Sequence, residues 1–364
     1  MQTSGGRQLA SGRSVKAAAA GSSTPHAGPS AYLAPEGQDV LVTTASKVPV
    51  TVEIDGDELD AEDAWHLVRR HGLWQLTKQS FQRFRFGDGF TNSRALGLQM
   101  ALSVVPFLLA LTGLAAKVDD GRTAAVVAMT VSALTPGSGG AQVFGEALRP
   151  GESGEEVGEL ALGFGLGFAL VSMTTAMAQV ERGANRIYGI RRDRPVLIKY
   201  GRAAVMTLVL ALPVGLGFLL LVAGGSLGDA LVDTYGWSAG THLWWELLRW
   251  PVGLVLTTFT IAVLLDHAPR RRQPALSWLA LGSGLAVVIT MASSGLLAAY
   301  IHYSDSFGSV YGPLAGVMAL LLWCYLSSIA LFFGTATAAQ LEALRAGVQE
   351  PIIADPGPSD STEG

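Results

Sequence analysis

Charge is scarce in this chain. Only 15% of its 364 residues are Asp, Glu, Lys or Arg, where a soluble domain usually carries about 25%. The net charge is −4, far from the basic footprint that nucleic-acid binding requires, so no nucleic-acid partner is expected. One cysteine, Cys324, is present; it excludes an intramolecular disulfide and a multi-cysteine metal site. The six histidines, His26, His66, His71, His242, His267 and His302, are scattered without ligand spacing. Asp and Glu gather in the N-terminal region, in one inter-span stretch and in the tail, not around a common point. No Walker motif occurs, so energy from ATP would have to come through a partner. Residues 1–37 contain Arg7, Arg13 and Lys16 but no apolar core of signal-peptide length, and no signal peptide is expected. These absences predict a protein that is not an enzyme and holds no metal or cofactor.

What is present is apolar surface. Hydrophobic residues make up 49% of the chain and the mean hydropathy is +0.37. The excess is gathered into long charge-free runs at 95–116, 160–180, 203–228, 274–301 and 306–341. Each is long enough to cross a hydrocarbon core of about 30 Å at about 1.5 Å per residue. A sixth run, 250–265, is too short unless its helix begins near Trp244. That start places Glu246 and Arg249 three residues apart, where they could pair. Trp237, Trp244, Trp245 and Trp250 cluster there as an interfacial aromatic belt would. Expected spans are therefore 95–116, 160–180, 203–228, 244–265, 274–301 and 311–338. The fold class is an all-α polytopic membrane bundle of about six helices.

Flanking segments differ in kind. Residues 1–59 are mostly expected to be disordered, Gly, Ser, Ala and Pro dominating 1–46; a short strand is conceivable over 48–54. From 60 to 94 the pattern is a basic amphipathic helix, with Trp65, Val68, Leu73, Leu76 and Phe84 set against His66, Arg69, Arg70, Lys78, Arg83 and Arg85. Such a helix before a span suits the anionic cytoplasmic leaflet, or else packs on the base of its own bundle. Residues 117–159, punctuated by Pro136-Gly137 and Pro150-Gly151, read as an external loop with surface helices. Residues 342–364 read as a disordered tail.

Basic residues near the spans orient the bundle. Counting loop by loop, 17 Lys and Arg lie on the side of the N-terminal helix, the 181–202 loop, Arg270-Arg271-Arg272 and Arg345, against four on the other, Lys117, Arg122, Arg149 and Arg249. Both termini are expected in the cytoplasm, in a multi-pass protein of the cytoplasmic membrane. Arg191, Arg192 and Arg194 are denser than orientation needs and are candidate contacts for anionic lipid headgroups. Gly163 and Gly167, Gly215 and Gly217, Gly282 and Gly284, and Gly312 and Gly316 form small-residue pairs expected to pack helices closely. Pro106, Pro213 and Pro251 could kink their spans.

Several motifs point to a family. Leu102-Ser103-Val104-Val105-Pro106 lies in the first span. Ala184-Asn185-Arg186-Ile187-Tyr188-Gly189-Ile190 follows the second, then Arg192 to Arg194-Pro195. The last span opens on Tyr311-Gly312, carries Leu322-Trp323-Cys324-Tyr325 and Gly334, and leaves through Gln340 and Glu342. In this order the motifs, spread over about 70–345, resemble the BrkB/YihY family of inner-membrane proteins, some once labelled ribonuclease BN. The first span departs from the family's common Ala-Phe-Tyr before the serine, having Gly97-Leu98-Gln99-Met100-Ala101. The resemblance implies six helices and a role in envelope integrity, with movement of a lipid or hydrophobic solute suggested. It makes Ser103, Pro106, Asn185, Tyr188, Tyr311, Gly312, Trp323, Tyr325 and Gly334 candidate motif residues. A scaffold without its own substrate is the alternative and a membrane-embedded enzyme the third. A metal-dependent nuclease needs carboxylates or histidines converging on a cation, and this sequence offers no such spacing. The expected partners are membrane lipids, with a homo-oligomer or an envelope-protein partner left open.

Overall fold

A computed structural model describes residues 47–53, 61–116, 125–127, 129–130, 152–303, 314–348 and 350–353. The candidate residues Tyr311 and Gly312, the N-terminal segment 1–46 and most of the 117–159 and 342–364 expectations lie outside these residues. The described chain is helical throughout: α1 (Ala61–His71), α2 (Leu73–Phe86), α3 (Gly89–Ala116), α4 (Glu152–Ile187), α5 (Val196–Leu221), α6 (Gly224–Tyr235), α7 (Ala239–His267), α8 (Leu276–Tyr303) and α9 (Ala315–Arg345). α3, α4, α5, α7, α8 and α9 are long and apolar enough to cross a membrane. The protein is an all-α polytopic bundle.

The spans differ from the apolar runs that mark them. Helix length is set by backbone hydrogen bonding, which continues past the last apolar residue. α4 runs on to Ile187, so Glu181, Arg182 and Asn185 are helical and not part of a loop. α5 ends at Leu221, short of the expected 228, and a separate α6 follows. Arg249 Nη1 reaches Leu220 O (3.5 Å), a carbonyl that the end of α5 leaves open, and Trp245 Nε1 donates to Gly224 O (2.8 Å) at the start of α6. Arg249 also meets Glu246 at 2.6 Å, the pair expected from their spacing. α7 begins at Ala239, with Ser238 Oγ capping Thr241 N, which gives the weak fourth run its full length.

Two further expectations change. The 60–94 region is two helices, broken at Gly72, whose φ of 79° suits glycine, followed by the start of α3 at Gly89. Residues 48–53 form no strand; they run as an extended strap held to one bundle end, with Thr51 N donating to Tyr188 O (3.2 Å).

Each span packs against its neighbour in the chain, and α9 returns to α3, so the six close a ring. Among the described residues, α4 against α9 is the one extensive contact across that ring. Close approaches fall where a glycine leaves room. A methyl group at Gly165 would meet Ala110 of α3 at 2.5 Å, and one at Gly282 would meet Gly334 O at 2.6 Å. Gly163 and Gly167, expected to pack, have nothing near them. The reason is register. Gly165, two residues from each, carries the α3 contact and turns its neighbours outward.

Packing is uneven along the bundle. Both hydrophobic clusters gather at the end that carries the basic segments. One joins Leu67, Val68, Leu265, Trp278, Leu279 and Leu341. The other joins Phe84, Leu96, Ile187, Tyr188, Phe332 and Ala336.

Candidate functional site

At the basic end, five segments bring polar side chains into the core. α2 contributes Arg83, the end of α4 Glu181 and Asn185, and the turn after it Tyr188. The α7–α8 connection contributes Arg271, and the end of α9 Gln340 and Glu342. The strap adds Thr51. Arg83, Tyr188, Gln340 and Glu342 have no exposed surface.

Arg83 reaches this position because it falls on the buried face of α2, in register with Leu76 and Ser80. Its Nε donates to Gln340 Oε1 (3.1 Å) and its Nη1 to Thr51 Oγ1 (2.8 Å) and Ile187 O (3.3 Å). Burial outweighs the attraction of Tyr188 and Glu342 and pulls its pKa below the usual arginine value, to about 10.

Arg271 Nη2 pairs with Glu342 Oε2 at 2.7 Å, and its guanidinium lies over the Tyr188 ring, 4.8 Å from the centroid. Tyr188 donates its hydroxyl to Glu342 Oε1 at 3.2 Å. Burial, with the Glu342 charge beside it, pushes the Tyr188 pKa well above 10, so the phenol remains a donor.

A second layer fixes the loops around this core. Asn185 Nδ2 donates to Asp193 Oδ1 (3.1 Å) while its Oδ1 accepts from Arg270 N (2.8 Å). One buried amide thus ties the turn after α4 to the α7–α8 connection. Arg194 pairs with Glu181 at 2.7 Å and donates to Ala268 O and Pro269 O. Arg191 and Arg192 are exposed. The basic triplet is therefore divided, with two residues outward and Arg194 turned in.

The other motif residues lie elsewhere. Ser103 bonds back to Gln99 O (2.7 Å) within α3, which also contains Pro106. Trp323 Nε1 donates to Ser294 Oγ (2.9 Å), tying α9 to α8 at mid-span. Tyr325 gives its backbone as the surface on which Gly97 rests, and Gly334 abuts Gly282. The residues missed by motif reading are Arg83, Arg271, Glu181 and Thr51, with Glu342 noted only as an exit residue. Arg83 was counted with the polar face of its helix. Its spacing from Leu76 and Phe84 was the available signal, a charge on an apolar stripe.

The Asn185–Tyr188 turn, the basic Arg-Pro after it and the Gln340–Glu342 exit are parts of one buried assembly. A family model described as Virulence factor BrkB matches residues 80–355, the segment that contains nearly all of it. The chain belongs to the BrkB family. It is 25% identical to the ribonuclease-like protein YfkH of Bacillus subtilis over 261 residues, 71% of this chain and 91% of that one. It is 30% identical to a UPF0761 membrane protein of Chromohalobacter salexigens over 72% of this chain and 62% of the relative. It is 28% identical to one of Verminephrobacter eiseniae over 76% and 64%. The chain spans under two thirds of the length of these two UPF0761 relatives. No solved structure matches it. Among the described residues, no three His, Cys, Asp or Glu side chains are grouped to hold a metal ion.

Proposed function

We propose that this BrkB-family protein serves envelope integrity by moving a lipid or hydrophobic solute across the cytoplasmic membrane, with both termini in the cytoplasm. The observation that carries the reading is the ring of spans, locked at one end and loosely packed beyond it. In the apolar windows of α5, α7 and α8, 17% of residues are buried, against 39% for α3. Hydroxyls line two of these looser spans at Thr257, Thr258, Ser293 and Ser294, and the Trp323 indole of α9 faces Ser294. A ring with few cross-contacts can open between neighbours more readily than a solid bundle. Anionic headgroups are the partners that the basic end would attract, through Arg191 and Arg192 outside and the amphipathic α1 and α2 beside it. Trp65, Leu73, Trp74 and Phe81 are exposed on those two helices, as an interfacial helix requires.

The test is reconstitution into vesicles containing a fluorescent phospholipid. Transbilayer movement should exceed that of protein-free vesicles, and loss of the gene should sensitise cells to detergent. A rate equal to the protein-free rate would leave the scaffold reading, which the tightly bonded basic end favours. The reading includes no catalytic step. The name of the Bacillus relative suggests RNA as an assay, and no cleavage above background is expected with divalent cations present.

A further inference from the structure

Among the described residues, the buried cluster at the basic end does not balance its charge. Arg83 and Arg271 carry two positive charges and Glu342 one negative. Tyr188 is the remaining titratable group that acts on Arg83. A buried charge without a counter-ion is costly. Two guanidinium donors in the cluster, Arg83 Nη2 and Arg271 Nη1, are buried and, among the described residues, have no hydrogen-bond acceptor. Each orphan donor costs free energy that an anion would recover.

The strap covers this pair with neutral oxygens. Thr51 Oγ1 accepts from Arg83, and Val52 O from Arg271 Nη2 at a long 3.4 Å. The strap is otherwise anchored by the buried Val48 and by a few polar bonds. Thr51 N bonds Tyr188 O, Arg272 N bonds Glu53 Oε1 (3.3 Å), and Ile353 N bonds Lys47 O (2.7 Å). Gly189, with φ 78°, lets the strap lie against the turn, since a methyl there would meet Pro49 O at 2.6 Å. A hydroxyl and a carbonyl thus stand where the chemistry of two guanidinium forks calls for phosphate oxygens. The place is where the spans end.

We propose that Arg83 and Arg271 form a binding site for the phosphate of an anionic phospholipid headgroup, and that the 47–53 strap is its displaceable cover. The proposal rests on the lipid reading above for its ligand but not for its geometry.

The experiment uses the full chain in neutral detergent and dioctanoyl phosphatidic acid as probe. Arg83→Gln leaves Arg271 and Glu342 paired, so it should fold as well as the parent while affinity falls at least about tenfold. Arg83→Lys, keeping the charge, should recover part of that loss. Thr51→Val removes the competing acceptor and should tighten binding severalfold. Val48→Cys in a Cys324→Ser background, at a buried position of the strap, should react faster with a thiol reagent once lipid is added, as the strap lifts. Unchanged affinity in folded Arg83→Gln overturns the site. An unchanged labelling rate at saturating lipid overturns the cover.

Dioctanoylglycerol, which lacks phosphate, should do nothing; equal strap release by it would overturn the phosphate chemistry. Inorganic phosphate at the same concentration should compete poorly; equal competition would make free phosphate the ligand and overturn the headgroup. Vesicle assays separate the two proposals. Lipid movement that persists in Arg83→Gln, with parental affinity, removes the site and keeps the function. Binding that behaves as expected without any lipid movement does the reverse.

Discussion

The two halves of α9 are opposites built on one helix. From Gly334 to Leu344 every residue is buried, on all sides of the helix. From Ala315 to Ser327 only Cys324 is. A helix in lipid needs one face against its partners and can leave the rest in hydrocarbon, which is the pattern of the first half. Burial all round needs neighbours all round, and the second half finds them in α1, α2, α3, α4 and α8 together. The same end contains the buried charges. The difference teaches that the basic end is organised like the core of a water-soluble protein with polar groups buried inside it, while the rest is organised for a bilayer.

The strongest way to break the comparison is to unpair a charge in the dense half. Glu342→Leu leaves Arg271 and Arg83 buried without a carboxylate and should cost about 3–5 kcal/mol. A folded-yield or thermal-aggregation assay in detergent should show near-complete loss. Ser294→Ala, in the open half, removes one acceptor from Trp323 and should cost about 1 kcal/mol. Equal losses would mean the two halves are held alike.

A smaller effect separates glycines by packing. Gly334→Ala places a methyl against the backbone of Gly282 and should cost about 1–3 kcal/mol. Gly163→Ala meets nothing, and the better helix propensity of alanine should leave folded yield unchanged or raised. Matching losses would put Gly163 at an interface after all.

This result bears on how far the sequence could be read. The six spans were legible because a bilayer enforces long charge-free runs, and even the short fourth run was recoverable from its tryptophans. Register was not legible. Gly163, Gly165 and Gly167 are identical in composition, and which one meets α3 depends on rotation about the helix axis. The site was half legible. Asn185 and Tyr188 stood in a motif, but Arg271 was absorbed into a basic count and Arg83 into an amphipathic pattern. Charge counting treats every arginine near a span as facing water. It cannot tell Arg192, which does, from Arg194 and Arg271, which are committed to Glu181 and Glu342.

That distinction resizes the headgroup prediction. With Arg194 turned inward, only Arg191 and Arg192 are placed to meet a lipid surface from this turn, each adding about 1 kcal/mol. Arg191→Gln/Arg192→Gln should lower retention of anionic lipid in mass spectra of the purified protein by roughly thirtyfold in affinity, or about 2 kcal/mol, and less in high salt. Arg194→Gln should lower folded yield instead. Topology is checked separately. Single cysteines at Ser153, Ser238 or Ser304, in a Cys324→Ser background, should react with an impermeant thiol reagent outside intact cells. Cysteines at Ser46 and Ser359 should not. Lipid retention unchanged in the double variant would reduce the pair to markers of orientation.

The smallest expected effect probes the dense half without unpairing a charge. Tyr188→Phe keeps the ring under Arg271 and removes only the hydroxyl that donates to Glu342. At 3.2 Å the bond is long for a hydroxyl donor, so its loss should cost about 1 kcal/mol. The pH dependence is more telling than the size. The folded-state pKa of Tyr188 lies above its unfolded value near 10, so its contribution is fully present below about pH 10 and is lost as pH rises past it. Arg83 has the opposite sign. Its folded pKa of about 10 lies below the usual arginine value, so stability rises with pH above about 10 as the folded state sheds a buried charge that the unfolded state retains. In the parent the two trends oppose each other at alkaline pH. Tyr188→Phe removes the falling one, so its stability, measured by thermal unfolding in detergent, should decline less steeply above about pH 10 than that of the parent. A parallel decline would mean that Tyr188 titrates as in water and that this end of the bundle admits solvent, which would erase the contrast between the two halves of α9.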